Sequence, residues 1–324
     1  MPQPRVAAVV NACLRARVRE TSQALVRLRE TTRVVAELDT RGDDSDVRRI
    51  VELLSAAEPD VVVAVGGDGT AGLALRALLD AKRTDQTALA LLPVGTGNNA
   101  ARSFGLRALR EGAGALERAL AAIAVGPRRP IDVGLLDGHP FLGSVAIGMD
   151  ADVLALRNRI HRRLGGRADG YGVYLGGALA SLVRGDHGGR ARLSLDGVCE
   201  TRSLYNLAVV NAPVYAGPLR FDGENDCADG LLDVHVVASE WEYLAEYPSA
   251  WLRYLRVRQG GKAPPSPLLR RAREIQVGFE RPIAAQADGE EIGASASFRI
   301  SVLPRALRVC LPRLTESAGA ARSR

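Results

Sequence analysis

The sequence is poor in aromatic side chains. They make up 4% of its 324 residues, too few for the stacked-ring platforms that read single-stranded nucleic acid. Cysteine is scarce as well. Cys13, Cys199, Cys227 and Cys310 are scattered and form no C-x-x-C pair, which argues against a zinc site or a disulfide framework and fits reduced thiols in a cytoplasmic protein. No apolar run approaches the ~20 residues needed to span a bilayer. The N-terminus shows no signal-peptide pattern, only the short apolar run Val6–Val10 followed by Arg15, Arg17 and Arg19. A cytoplasmic protein is expected, with any membrane contact peripheral and on the inner face. No internal repeat is visible.

What is present is ordinary for a globular chain, at 47% apolar and 25% charged residues. The length suits two domains. The net charge is +6. A basic surface suits an anionic partner such as a nucleotide or an acidic membrane face; an Ala/Arg/Gly-rich composition offers genome bias as the plain rival explanation.

Strand and helix patterns alternate over residues 1–132. Val6–Val10, Arg33–Leu38, Val61–Val65 and Thr87–Leu92 read as strands; Ser22–Leu28, Asp46–Leu54, Ala100–Phe104 and Gly114–Ala124 read as helices. That order predicts a doubly wound parallel α/β domain. From Ile131 short alternating strands take over: Ile131–Leu136, Phe141–Ile147, Ala191–Leu195, Ser203–Val210, Leu231–Val237, Glu274–Phe279 and Phe298–Val302. They predict an all-β, antiparallel sandwich over 133–314, with helical inserts at about 152–183 and 240–258. Residues 315–324 read as a disordered tail.

Two glycine-rich turns leave strand carboxyl ends. The first is Gly66-Gly67-Asp68-Gly69-Thr70 and the second Pro93-Val94-Gly95-Thr96-Gly97-Asn98-Asn99. Glycine there lets the backbone approach a ligand closely, and the following helix presents free N–H groups to phosphate. Thr70 and Thr96 add hydroxyl donors. Asp68 sits inside this anion cradle, where a divalent cation is the usual bridge between carboxylate and phosphate. Late in the chain, Asp288 and Glu290 lie on a turn between strands; alternation would put both on one face. One could take a proton from an acceptor hydroxyl while the other holds it or a metal. The plain alternative is that Asp-Gly-Glu is only a hairpin turn.

The segment Leu92-Pro93-Val94-Gly95-Thr96-Gly97-Asn98-Asn99-Ala100-Ala101-Arg102 resembles the "P-x-G-T-G-N-D-x-A-R" motif of the diacylglycerol kinase catalytic superfamily, which includes sphingosine, ceramide and bacterial lipid kinases. Ile131-Asp132-Val133-Gly134 with Phe141 and Gly148-Met149-Asp150-Ala151, Leu164-Gly165-Gly166-Arg167 with Tyr171 and Tyr174, Asp229-Gly230-Leu231-Leu232-Asp233-Val234 and Asp288-Gly289-Glu290 extend the resemblance over most of the chain. The resemblance implies an ATP- and Mg²⁺-dependent kinase that phosphorylates the hydroxyl of diacylglycerol or a related lipid alcohol, giving a phosphatidate-type product. It implies nucleotide contacts from Asn11, Gly66, Gly67, Gly69, Thr70, Gly95, Thr96, Gly97, Asn98 and Asn99. It assigns catalysis to Asp68, with Glu290 as base and Asp288 as its partner. Asp68 would hold the catalytic Mg²⁺. A structural Mg²⁺ would take the Asp229 carboxylate and the backbone carbonyls of Asp226 and Leu231. A homodimer stays open.

Two positions depart from the family pattern. Asn99 stands where Asp is usual, and Asn11-Ala12-Cys13-Leu14-Arg15 keeps only the Asn of "N-P-x-S-G". Arg15 and Arg17 are candidates for the missing phosphate donors, against plain surface charge. Two basic clusters suit an anionic lipid face: Arg157, Arg159, His161, Arg162, Arg163 and Arg167, and Trp251, Arg253, Tyr254, Arg256 and Arg258. The rival readings are an NAD kinase-like enzyme with a soluble acceptor, and a nucleotide-binding regulatory protein that has lost catalysis. A nucleic-acid partner is not expected.

Overall fold

The computed structural model describes residues 3–95, 97–112, 114–163 and 187–313. They form two compact units: Met1–Pro130 with Leu307–Arg324, and Ile131–Ala306.

The first unit contains β1 (Arg5–Val10), α1 (Ala12–Arg17), α2 (Arg19–Thr31), β2 (Arg33–Asp39), α3 (Ser45–Ala57), β3 (Val61–Gly66), α4 (Asp68–Asp80), β4 (Ala88–Pro93), α5 (Asn99–Ser103) and α6 (Ala115–Val125). Its strands run parallel in the order β2-β1-β3-β4. Every position of β3 and β4 is buried. This is why these strands read as unbroken apolar runs: helices cover both faces of the sheet. Helix α4 buries Ala71, Ala74, Leu75 and Leu78, one stripe at three- and four-residue spacing. Val10 pairs with Val65, and Gly66 with Pro93, so β1, β3 and β4 end level. Asn11 and both glycine turns therefore leave from one carboxyl edge, where parallel sheets bind ligands.

The second unit contains β5 (Arg128–Leu136), β6 (His139–Phe141), β7 (Ser144–Gly148), α7 (Met149–Arg163), β8 (Gly189–Leu195), β9 (Val198–Leu204), β10 (Asn206–Val210), β11 (Leu232–Val237), α8 (Glu240–Arg258), β12 (Leu269–Ala272), β13 (Glu274–Ala287) and β14 (Glu290–Cys310). Antiparallel strands run β12-β11-β10-β7-β13-β14. Strand β13 serves two partners. Ile275–Phe279 pair with β8, Ala285–Ala287 pair with β7, and the register to β14 slips between Gly278 and Ile283. The apolar core between the layers includes Phe141, Leu193, Leu207, Val234, Ile275 and Phe298, the packing of a sandwich.

The strands expected at Glu274–Phe279 and Phe298–Val302 are the regular parts of ribbons of 14 and 21 residues. Alternation fails where β13 slips and again at Arg305, whose φ is 51°, so the pattern marks only the undistorted stretches. The end of β14 runs parallel to β4, Val309 opposite Leu89, and adds a strand to the first unit. The strand expected over Phe141–Ile147 is broken at Leu142 and Gly143, for a reason given below. The insert motif Leu164–Arg167 with Tyr171 and Tyr174, and the tail at 315–324, lie outside the described residues.

Candidate active site

Gly67 precedes α4, and the first intrahelical bond runs from Ala71 N–H to Gly67 C=O at 3.1 Å. The N–H groups of Asp68, Gly69 and Thr70 lie ahead of it, at the positive end of a 13-residue helix. The second turn folds onto the first: Gly95 N–H donates to Gly66 C=O at 3.2 Å. A Cβ on Gly95 would fall 2.6 Å from Gly67 Cα, and one on Gly66 would collide with the Thr70 hydroxyl. The packing of the turns on themselves thus requires glycine at Gly66 and Gly95, a reason the sequence alone does not supply. Gly67 is different. Its Cβ would meet Gly95 Cα at an ordinary 3.5 Å.

Asp68 joins the two turns. Its Oδ2 accepts Asn99 N–H at 3.0 Å and its Oδ1 accepts Ala100 N–H at 3.1 Å, so it caps α5 from another helix. Burial pushes this carboxyl up, while the backbone donors and Arg102 pull it down. Gly97 lies against it, since a Cβ there would sit 3.0 Å from Asp68 Oδ2. Asn98 is left-handed (φ 54°) and only 1% exposed; its Nδ2 donates to Gly95 C=O at 2.6 Å. Its Oδ1 is buried with no hydrogen-bond partner among the described residues. Such an orphan acceptor fits a donor from outside the chain, a sugar hydroxyl or a metal-bound water. Asn11 caps α1 through Leu14 N–H at 3.0 Å and donates to the Thr70 hydroxyl at 3.5 Å. Asn11, Gly66, Gly67, Asp68, Gly69, Thr70, Gly95, Gly97, Asn98 and Asn99 therefore come together; Thr96 lies outside the described residues. Arg15 does not replace the lost donors. It is held by Glu37 at 2.7 Å and Asp39 at 2.8 Å.

In the second unit Asp288 and Gly289 are the two loop residues of the hairpin closed by the Ala287–Glu290 pair, with φ 48° and 84°. Positive φ at both positions is the type I′ turn that Asp-Gly favours. The expectation that alternation puts Asp288 and Glu290 on one face is corrected, because the segment is not extended. Asp137-Gly138 and Asp196-Gly197 adopt the same conformation. The Asp288 carboxylate accepts N–H from Leu142 at 2.7 Å, Gly143 at 2.8 Å and Ser144 at 2.9 Å. Asp196 and Asp137 make the same kind of contact, with the N–H groups of Arg273 and Glu274 and with that of Arg299, so Asp288 differs only in holding three. Leu142 and Gly143 wrap around it instead of continuing a strand. Glu290, half-buried, is the first residue of β14.

The acidic loop ahead of β11 is tied down from below. Asp132, fully buried, accepts Gly230 N–H and Arg305 N–H, each at 2.7 Å, and its own N–H donates to Cys227 C=O at 2.7 Å. Asp226 and Asp229 are exposed and accept the N–H groups of Ala228 at 3.1 Å and Leu231 at 2.9 Å. Among the described residues no three His, Cys, Asp or Glu side chains gather as a metal cluster. The expected ligand set has one carboxylate and two backbone carbonyls, an all-oxygen set that suits Mg²⁺. The buried Oδ1 of the adjoining Asn225 also lacks a partner among the described residues.

Sequence reasoning missed the work of Asp132 and Asp150. The signal for the first was a lone acid inside an apolar strand. Asp150 accepts hydrogen bonds from the hydroxyls of Tyr215 at 2.5 Å, Tyr243 at 2.7 Å and Tyr247, and from Asn206 Nδ2 at 2.7 Å. Its partners lie 56 to 97 residues away, beyond any local pattern. Gly134 faces Phe141 across the β5–β6 pair, and a Cβ there would strike the ring. In the second basic cluster Arg253 turns inward, to Glu246 at 2.6 Å and Pro264 C=O at 3.2 Å. In the first, the side chains of His161 and Arg162, and Arg167 altogether, lie outside the described residues.

Two glycine turns at the carboxyl edge of a parallel sheet, followed by an antiparallel sandwich, make up the described architecture. Residues 6–136 match the diacylglycerol kinase catalytic domain, and residues 143–311 match the YegS C-terminal NAD kinase beta sandwich-like domain. The chain belongs to this family of lipid and diacylglycerol kinases. It is 32% identical over 299 residues to a probable lipid kinase YegS-like protein of Pseudomonas aeruginosa strain UCBPP-PA14, covering 90% of each chain. It is 31% identical over 312 residues to a diacylglycerol kinase of Mycobacterium tuberculosis strain H37Rv, covering 92% of this chain and 91% of the relative. A crystal structure of a diacylglycerol kinase from Bacillus anthracis strain Sterne shares the fold, with a TM-score of 0.64 at 18% identity, over 97% of this chain and 98% of that one. No helix among the described residues is long and apolar enough to cross a membrane.

Proposed function

We propose that this protein transfers the γ-phosphoryl group of ATP to the hydroxyl of diacylglycerol or a related lipid alcohol. The observation that carries the reading is the pair of interlocked glycine turns, stitched by Asp68 and set at the N-terminus of α4. Phosphoryl transfer asks the protein for positioning and charge stabilisation more than for covalent chemistry. The N–H groups of Asp68, Gly69 and Thr70, with the Thr70 hydroxyl, would cradle the phosphates.

Mg²⁺ in such sites is held by one or two carboxylates together with substrate phosphates, so a single Asp68 fits the requirement. When bound, the ion neutralises charge on the β- and γ-phosphates. Asp68 would hold it directly or through water, with Asn98 Oδ1 accepting from a bound water or sugar hydroxyl. In the second unit Glu290 is the proposed base that accepts the proton of the acceptor hydroxyl. Asp288 positions it: by gripping Leu142, Gly143 and Ser144 it fixes the turn from which Glu290 starts. Asp226, Asp229 and Leu231 would hold a structural Mg²⁺ on the loop that Asp132 pins.

The test is label transfer from γ-labelled ATP to lipid alcohols in mixed micelles with Mg²⁺. A labelled lipid is expected from the parent protein, with a loss of about 10²–10⁴-fold in Glu290→Gln. ATP binding without transfer to any lipid would sink this reading in favour of a soluble acceptor or a regulatory role.

A further inference from the structure

The outward face of α8 is apolar over three turns. Among the described residues seven large apolar side chains are exposed, and four belong to this one helix: Trp241 (79%), Leu244 (41%), Trp251 (46%) and Leu252 (58%). Ala245 and Pro248 are exposed between them, and from Trp241 to Leu252 every exposed residue is apolar. The spacing of three and four residues gathers these side chains into one stripe. Both tryptophans of the chain lie on it.

The stripe does not come from a loosely seated helix. The opposite face is fixed by the Tyr243 and Tyr247 hydroxyls on Asp150, by the Glu246–Arg253 ion pair at 2.6 Å, and by the fully buried Ala250. The C-terminal margin of the stripe is basic, although Lys262 pairs with the exposed Glu224 at 3.8 Å and Glu240 is exposed at the opposite end. Arg256 and Arg258 are exposed, and the Lys262 side chain is 94% exposed.

We propose that α8 docks the protein on an anionic bilayer surface. Trp241, Leu244, Trp251 and Leu252 would enter the boundary between headgroups and acyl chains, with Arg256 and Arg258 against the lipid phosphates. Tryptophan with leucine on one side of a surface helix, and arginine at its margin, is the composition of an interfacial helix. Anionic headgroups supply the complementary charge. A second copy of the chain is the poorer occupant. The stripe is about 16 Å long at 1.5 Å per residue and one helix face wide, well short of the roughly 800 Å² per partner of a stable interface. The inference rests on the lipid-kinase reading for its purpose, a membrane-borne acceptor, but its test does not use the kinase reaction.

The full chain is mixed with phosphatidylcholine vesicles, and with phosphatidylcholine vesicles containing phosphatidylglycerol. Sedimentation with the anionic vesicles, with a blue shift of tryptophan emission, is expected; vesicles of phosphatidylcholine alone should hold at least tenfold less protein. Leu252→Glu should lower anionic-vesicle binding at least tenfold with an unchanged melting temperature. Arg256→Gln with Arg258→Gln should lower it and flatten its salt dependence. Wild-type protein that ignores both vesicle types would overturn the proposal. So would Leu252→Glu binding as well as wild type, or a wild-type dimer that Leu252→Glu splits with no effect on vesicles. Phosphorylation of a short-chain diacylglycerol in free solution separates the two readings. No transfer with vesicle binding intact removes the kinase reading and supports the docking face; transfer with no vesicle binding removes the docking face alone.

Discussion

Gly67 and Gly95 meet backbone to backbone, so closely that a methyl group on Gly95 would sit 2.6 Å from Gly67 Cα. The contact is asymmetric, since a methyl group on Gly67 would find Gly95 Cα at 3.5 Å. Packing and ligand approach can therefore be separated by two substitutions. Gly95→Ala should destabilise the protein by about 1–3 kcal/mol, the usual cost of overpacking, and impair nucleotide binding as a consequence. Gly67→Ala should leave the melting temperature nearly unchanged while weakening ATP binding. Thermal melts alongside ATP titrations check both; normal ATP binding in a stable Gly67→Ala protein would mean that this glycine is not at the phosphates.

Asp68 caps α5 across the turns, so its loss has a structural component. Asp68→Ala leaves the N–H groups of Asn99 and Ala100 without their acceptor, at a cost of about 0.5–2 kcal/mol typical of a lost cap. Phosphoryl transfer should fall much further than that stability loss explains. Comparing denaturant midpoints with transfer rates measures the difference.

Asp288 and Glu290 should respond in opposite ways. Asp288→Ala strips three backbone N–H groups of their acceptor and should cost about 2–3 kcal/mol. Glu290→Gln should leave stability unchanged while transfer collapses. A stable Asp288→Ala protein would show that Leu142–Ser144 find other partners, and that the positioning role is wrong.

Alkaline pH should loosen the second unit around its tyrosines. Burial, then Glu240, Asp150 and Asp152, push the Tyr205 phenol from 10.0 to about 12. Burial and Asp150 push Tyr247 well above 10.0. Both folded values lie above the unfolded one, so the folded state keeps its protons longer. The associated stability is fully present below pH 10 and is lost as pH rises from 10 toward 12. Ultraviolet titration of the phenols should show a late class absent from the urea-unfolded chain, and Asp150→Asn should shift that class earlier.

The first-unit strands were legible because a sheet covered on both faces demands continuous apolar runs, which local sequence displays. Both glycine turns, and their place at strand ends, were legible for the same reason. The Asp-Gly hairpins were legible as turns, since Asp-Gly suits positive φ. The extent of β13 and β14 was not, because slips and bulges erase the period by which strands are recognised.

What the sequence determined by itself was the order of elements, the two-part architecture and the family, each written in local periodicity or in short motifs. The tertiary structure alone decided which use each motif residue serves. It gave Gly95 to a neighbouring turn, Asp68 to a helix cap, Asp288 to three backbone donors and Arg253 to Glu246, leaving the tryptophans of α8 facing outward. Apart from the Glu246–Arg253 pair, two turns apart on one helix, these contacts join residues 28 to 146 positions apart. At such separations a partner is chosen by how the chain packs, which no local pattern encodes.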